Sequence, residues 1–340
     1  MSRGRPSRET VYRRLDAAID ELARLGGLPA PKQSDAIWAD IWHLETHHST
    51  ALEGNTLVLR EVAQLLDEGR AVGAKPLKEY MEVRGYAEAA SWVYGQALEP
   101  DGWSDGELVS RNEVRRVHMM AMTPVWGVEP HPEATDRESP GNFREHDIHP
   151  FGGGMASPAW ADVPADIDEW VEQVVAFGRQ VRTGSAPRDP LPEEIARLHN
   201  HFEHIHPFLD GNGRTGRLLM NLVLVRLGHP PVIIFKRQRD SYLSALQKSD
   251  AGDHGPLGEV IAGAMIENLN RFIVPAVAGD EQLVRLAALA NEEFTAAALL
   301  QAAQRQRLWA VKGSDETWRS TRQAVHEYAM TRHRRRPKAD

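Results

Sequence analysis

Twelve consecutive residues stand apart in this chain: His206-Pro207-Phe208-Leu209-Asp210-Gly211-Asn212-Gly213-Arg214-Thr215-Gly216-Arg217. His206 closes one apolar-patterned segment and is a candidate general base. Gly211, Asn212 and Gly213 tolerate unusual backbone angles, so their N–H groups can converge into an anion-binding nest. A new apolar stripe, Leu218, Leu219, Leu222 and Val225, begins just beyond. The N-terminus of that second helix would add its dipole at the same place. Arg214 and Arg217, three apart, share one helical face and can both reach a polyphosphate. Asp210 is a hard oxygen ligand suited to Mg2+ on that polyphosphate.

Other readings of the same residues fail on context. Gly211 to Gly216 spells G-x-G-x-x-G, but a dinucleotide fingerprint needs a preceding strand, and His199 to Ile205 is patterned as a helix. No G-x-x-x-x-G-K-[ST] occurs, so the stretch is not a P-loop. His199, His201 and His204 stand close by without forming H-E-x-x-H, and such histidines more often cap or solvate a helix end. The chain has no cysteine, which removes thiolate nucleophiles, Cys-based zinc sites and disulfides together.

Helical patterning supplies the elements that must position these residues. Ser34 reads as an N-cap for Ile37, Ile41, Leu44 and Leu52, ending near Gly54. Thr56 would cap a short helix through Leu66, and Tyr80 to Leu98 and Glu107 to Met122 read as two more, the latter stopped by Thr123-Pro124. Trp126 to Pro164 is dense in Pro and Gly and lacks a helical period, as a long functional loop would be. Helices resume at Ile167 to Gln180 and at Leu191 to Ile205, whose Ile195, Leu198, Phe202 and Ile205 form one stripe. The fold class is mainly α. At 340 residues the chain is long enough for about two domains. No apolar run approaches the roughly 20 residues of a membrane helix, and the expectation is a cytoplasmic protein without a membrane partner.

The stretch His206 to Arg217 satisfies every position of H-P-F-x-[DE]-G-N-G-R-x-x-R and so resembles the Fic-domain (Fic/DOC) family. The resemblance covers roughly Trp38 to Arg271. It implies a Fic-type helical domain with a β-hairpin flap, transferring AMP from ATP to a Ser, Thr or Tyr hydroxyl of a target protein with release of pyrophosphate. By that likeness His206 deprotonates the hydroxyl, Asp210 holds Mg2+, and Gly211, Asn212, Gly213, Arg214, Thr215, Gly216 and Arg217 bind ATP. Tyr242 falls where relatives place an aromatic near the pocket. Gly213 stands where a kinase branch of the family has Lys, which favours nucleotidyl transfer. Gly141-Asn142-Phe143-Arg144 and the following residues to 164 resemble the flap, on which a target docks by strand addition.

Ser49-Thr50-Ala51-Leu52-Glu53-Gly54 resembles the family's inhibitory motif [ST]-x-x-x-E-[GN], with Ser49, Glu53 and Gly54 in its defining positions. Glu53 paired with Arg217 would occupy the fork meant for the γ-phosphate. A charge-assisted contact of this kind is worth roughly 1.5–3 kcal/mol, a shift of about 10- to 150-fold. Ser49, one turn away, would hold Glu53 in place. Some relatives use this Glu to remove AMP, so a de-AMPylating hydrolase is the alternative reaction. The target could include the chain itself, and a homo-oligomer is compatible with the sequence.

The organisation expected is a basic segment and leading helix over 1–30, a Fic domain over 31–275 with its inhibitory helix at 35–54 and flap at 141–164, and a C-terminal module over 281–330 with a basic tail at 331–340. The net charge is −8, yet residues 281–340 carry 11 Lys/Arg against 7 Asp/Glu. Helix, turn, helix, hairpin and helix in that region resemble a small winged helix-turn-helix, with Ser320 capping its last helix. Gln301, Gln304, Arg305 and Arg307 would then lie on or near a helix facing a DNA groove, the alternative being a protein-interaction or dimerisation module. Arg3-Gly4-Arg5-Pro6 faintly resembles an AT-hook. A DNA-binding regulator whose Fic site senses nucleotide is the reading from another functional class.

Overall fold

The computed structural model describes residues 6–28, 35–96, 108–149, 156–183, 189–279, 282–313 and 315–332. Ser34, the AT-hook-like residues before Pro6, the triple glycine of the flap and the tail beyond Arg332 lie outside them. The loop His206–Gly211 joins α7 (Leu191–Ile205) to α8 (Asn212–Arg226). α7 opens with Glu193 and Glu194 in its first turn, where acidic groups complement the dipole. Its stripe Ile195, Leu198, Phe202 and Ile205 is buried as the spacing demands.

α8 is buried on every side, from Arg214 through Arg226. A helix so enclosed is the axis of the domain. Around it stand α2 (Asp35–Leu52), α4 (Leu77–Gly95), α5 (Arg111–Trp126) and α7. α6 (Val163–Thr183) backs α7, and α9 (Arg239–Asp250) and α10 (Gly255–Asn268) close the far side. α1 (Arg8–Arg24) lies on α10, and α3 (Leu59–Glu68) lies on α2 and α4.

Several sequence expectations shift. α5 runs past Thr123-Pro124 to Trp126. A proline in the last turn forfeits only one intrahelical bond, and the Thr123 hydroxyl donates to Met119 O. At its other end Ser110 and Glu113 form a capping box. α3 starts after Val58, whose N–H is taken by Glu61, while the Thr56 hydroxyl donates to Glu79 instead of capping. In the flap region the described residues hold turns but no strand, and 163–164 already belong to α6. The helical stretch Gly255–Ala278, which includes α10, a π turn and α11 (Val274–Ala278), is long and apolar enough by composition to span a membrane. Here α10 packs on α1, α7 and α9.

The C-terminal region forms β1 (Val284–Arg285), α12 (Ala296–Gln304), β2 (Val311–Lys312), β3 (Trp318–Ser320) and α13 (Arg322–Thr331). Its antiparallel sheet has the order β1-β3-β2. Val284 begins a strand where a helix was expected, and residues 286–289 form only a 3-10 turn. Thr321, not Ser320, caps α13, because Ser320 is the last residue of β3 and its hydroxyl donates to Trp309 O. Gln301, Gln304, Arg305 and Arg307 are exposed, with Arg307 donating to Arg332 O. The buried apolar core runs unbroken from the main helices into Leu286, Phe294, Leu299 and Val325. Glu21 of α1 pairs with Arg285 at 2.8 Å, so this region is docked on the body and not built around a core of its own.

Candidate active site

The loop after α7 is held open by its own residues. His206 caps α7 in the left-handed region, φ 49 and ψ 59, an uncommon conformation for a side chain with a Cβ. Its Nδ1 lies 3.1 Å from the Glu203 carbonyl oxygen. A carbonyl only accepts, so the proton sits on Nδ1 and the lone pair on Nε2. Burial pushes the imidazole pKa down to about 4, which keeps it neutral near pH 7. Asn212 donates to Phe208 O at 2.7 Å and accepts from Phe208 N at 2.9 Å. Its side chain is therefore spent on the loop, and only its backbone N–H is left for an anion.

Asp210 Oδ1 accepts from Gly211 N at 2.6 Å and from Arg214 at 3.1 Å. Burial alone would raise this carboxyl, but the Arg214 charge and the Gly211 N–H outweigh it and hold the pKa below the usual range. The group is 42% exposed, and its second oxygen is the donor suited to a hard cation. Arg214 also lies 3.7 Å from Glu82 of α4. Gly211 sits at φ 78, a conformation that a Cβ would strain.

Arg217 turns the other way, toward α2. Its Nε donates to Ser49 Oγ at 2.7 Å, and the same guanidinium donates to Ser49 O at 3.1 Å and to Glu53 Oε1 at 2.6 Å. Ser49 thus holds Arg217 directly, not Glu53 as its spacing suggested. Glu53 follows the last residue of α2, with Gly54 at φ 103 beyond it. Burial raises the Glu53 carboxyl, but the Arg217 charge and hydrogen bond prevail and its pKa lies below the ordinary value. A Cβ on Gly213 would come within 2.6 Å of Glu53 Oε1. The carboxylate therefore lies directly over the first turn of α8, where an anion would bind.

Three residues expected at the nucleotide are not on this open face. Thr215 is wholly buried. A Cβ on Gly216 would meet Glu203 Oε1 at 2.3 Å, so its role is close packing of α8 on α7. Tyr242 is 2% exposed and its hydroxyl lies 2.7 Å from His199 Nε2. It backs Arg217 from inside. Burial raises the Glu203 carboxyl to about 7 and lowers His199 to about 3.

Two positioning residues were not singled out from the sequence. His118 accepts from Gly141 N at 2.8 Å on Nδ1, so its Nε2–H donates to Asp210 O at 2.9 Å. It stacks on Phe208 with ring centroids 3.7 Å apart, tying the start of the flap to the loop. Arg144 is fully buried. Its Nε donates to His206 O at 3.0 Å and its backbone N–H to Pro207 O at 3.0 Å. A guanidinium at the C-terminal carbonyls of α7 satisfies what the helix end leaves open. The Gly141-Asn142-Phe143-Arg144 run contained the only sequence signal for either.

Residues 108–224 match the model of the Fic/DOC family. The chain is 29% identical over 265 residues to Protein adenylyltransferase Fic of Culex quinquefasciatus, covering 77% of this chain and 47% of that protein. It is 30% identical over 227 residues to the Drosophila erecta protein of the same name, covering 67% and 41%. The chain spans about half the length of the curated relatives it matches. Among solved structures it resembles a Fic domain containing signaling protein from Bacteroides thetaiotaomicron (TM-score 0.62, 22% identity, 81% of this chain and 96% of that one). Fic-1 from C. elegans is similar too (TM-score 0.60, 23% identity, 78% and 72%). These two likenesses carry the fold alone. The loop and its two flanking helices agree with the family match, and residues 108–224 carry a domain of the Fic/DOC family.

Proposed function

We propose that the chain is a protein adenylyltransferase that moves AMP from ATP to a hydroxyl of a target protein and is restrained by Glu53. One observation carries the reading: a neutral imidazole with its lone pair on Nε2 stands on the same short loop as the first turn of α8. The names of the relatives support it. The target hydroxyl gives its proton to His206 Nε2 as its oxygen bonds to the α-phosphorus. The bond from that phosphorus to the bridging oxygen breaks, and pyrophosphate leaves. The first-turn N–H groups of α8 hold the phosphates in line, and Arg214 and Arg217 take their charge.

Asp210 fits Mg2+. Among the described residues no group of three or more His, Asp or Glu is arranged to hold a metal by itself. A single exposed carboxylate suits an ion that completes its shell with phosphate oxygens and water. When bound, the ion would neutralise phosphate charge.

Glu53 and Ser49 occupy the Arg217 donors that a γ-phosphate needs, and the carboxylate adds repulsion. Glu53 is 41% exposed, so screening brings the contact down to about 1–2 kcal/mol. The test incubates wild type, Glu53→Gly and Glu53→Gly with His206→Ala in α-labelled ATP, Mg2+ and cell lysate, reading label on protein by gel. Label should rise about tenfold or more with Glu53→Gly and vanish in the double variant. No label in any lane, with ATP bound, would overturn AMP transfer and favour AMP removal, read as AMP release from a pre-modified target.

A further inference from the structure

A cavity of about 450 Å³ opens among residues of the flap region and α5. Arg111, Arg115, Arg137, Phe143, Glu145 and Trp160 line it. Its size is that of a site for a few side chains. Four of its lining residues are arginines and one is a carboxylate, in a chain whose net charge is −8. The basic character is local.

Two of the arginines are pre-set, and Arg137 is a solvent-exposed third. Arg111 is braced by Asp168 at 3.0 Å and lies 5.4 Å from the Phe143 ring centroid. Arg115 donates to Gly141 O and to Asn142 Oδ1, both at 2.7 Å. Arg137 stands 3.8 Å from Glu145 and is 80% exposed. Each guanidinium has five donors in a fixed fork, so these contacts orient it without exhausting it. Trp160, 43% exposed, adds an apolar wall. The cavity's fourth arginine, Arg144, touches the carbonyls of Ile205 and His206. One guanidinium therefore separates this cavity from the proposed base.

We propose that this cavity is an exosite for an acidic segment of the protein to be modified, with carboxylates on Arg111, Arg115 and Arg137 and an apolar or aromatic side chain on Trp160. The proposal rests on the AMP-transfer reading and names the class of target. A peptide suits the site better than nucleic acid. A long phosphodiester leaving the cavity would meet Glu145, Asp168 and an acidic body.

Fluorescence anisotropy without ATP tests it on the full chain, so binding is read apart from AMP transfer. The probe is a fluorescein-labelled nine-residue peptide of repeating Glu-Tyr-Glu, compared with the same peptide carrying Lys for Glu and with a single-stranded oligonucleotide. The Glu peptide should bind, weaken as salt rises, and lose about tenfold in affinity with Arg111→Glu plus Arg137→Glu. Trp160→Ala should lose about fivefold. A melting temperature within a degree or so of wild type would show that the variants are folded. Equal binding of the Lys peptide, no effect of charge reversal, or tighter binding of the oligonucleotide to the same arginines would overturn the proposal. If peptide binding holds while no variant transfers label, the exosite stands and the AMP-transfer reading falls.

Discussion

His206 shows how much chemistry one backbone conformation sets. Its left-handed φ turns the ring back on Glu203 O, and that contact chooses the tautomer. Burial and the nearby Arg144 charge then hold the pKa at about 4, with Glu53 and Asp210 opposing. A free imidazole would titrate near 6.5. The kcat/KM for ATP reports the free enzyme. In the Glu53→Gly background it should be flat from about pH 8 to pH 6 and fall only as pH drops toward 4. Removing Glu53 also removes a carboxylate that raises the imidazole. An acid limb near 6.5, measured by label transfer across that range, would show that another group limits the rate. The residues from His206 to Arg217 were legible because they are adjacent in sequence. His118 and Arg144 were not, because their partners lie 92 and 62 positions away. Asn212 and Thr215 could be placed in the motif, but which way each side chain turns depends on packing no spacing encodes.

At the scale of elements, the attachment of α2 decides whether Glu53 can reach Arg217. Glu45, two turns before Glu53, is fully buried and accepts from Tyr86 at 2.7 Å, from Tyr94, and from Asn221 at 2.8 Å. Burial raises its pKa to about 7 against those hydrogen bonds. Asn221 also takes both backbone groups of Val232, N–H at 2.7 Å and C=O at 3.0 Å. One amide thus joins α8 to α2 and to the segment before α9, and Arg239 closes the end of α2 through Leu52 O at 2.9 Å. Asn221→Ala should cost about 1–3 kcal/mol, since it strands buried partners. Urea unfolding should show a lower midpoint at an unchanged slope, and basal label transfer should rise as α2 loosens. A normal midpoint would mean water replaces the amide. The helices themselves were readable from apolar period, α7 to the residue. The ends of α3 and α5 were not, since Thr56 is drawn to Glu79 and a proline in the last turn of α5 forfeits only one intrahelical bond.

Across the whole molecule, burying polar chemistry in a helical core leaves a signature in pH. Burial lowers His48, His118, His206 and His229 to about 4 and His199 to about 3. Unfolded, each would titrate near 6.5. These imidazoles bind protons only after unfolding between about pH 4.5 and 6.5, so they make stability fall as pH falls through that window. Glu45 and Glu203 act oppositely. Burial raises each from 4.5 to about 7, so they hold protons in the fold that the unfolded chain releases, and they favour the fold at lower pH. Five groups against two leave a net uptake of about three protons on unfolding near pH 5.5, a slope of about 4 kcal/mol per pH unit. The slope vanishes near pH 7.5, so the loss down to pH 5.5 sums to about 3 kcal/mol. Against a total stability of about 5–15 kcal/mol, the melting temperature should drop by about 5 °C. Calorimetry in buffers of different ionisation enthalpy counts the protons directly. Below about pH 4.5 the lowered carboxyls of Glu53, Glu113 and Asp210 drive the same way, so no acid plateau should follow. A melting temperature that held or rose at pH 5.5 would mean that Glu45 and Glu203 outweigh the histidines. The double replacement Glu45→Gln with Glu203→Gln separates the two sets. It should steepen the loss by removing the two most strongly raised carboxyls among the described residues, and a shallower loss would place the titrating groups elsewhere.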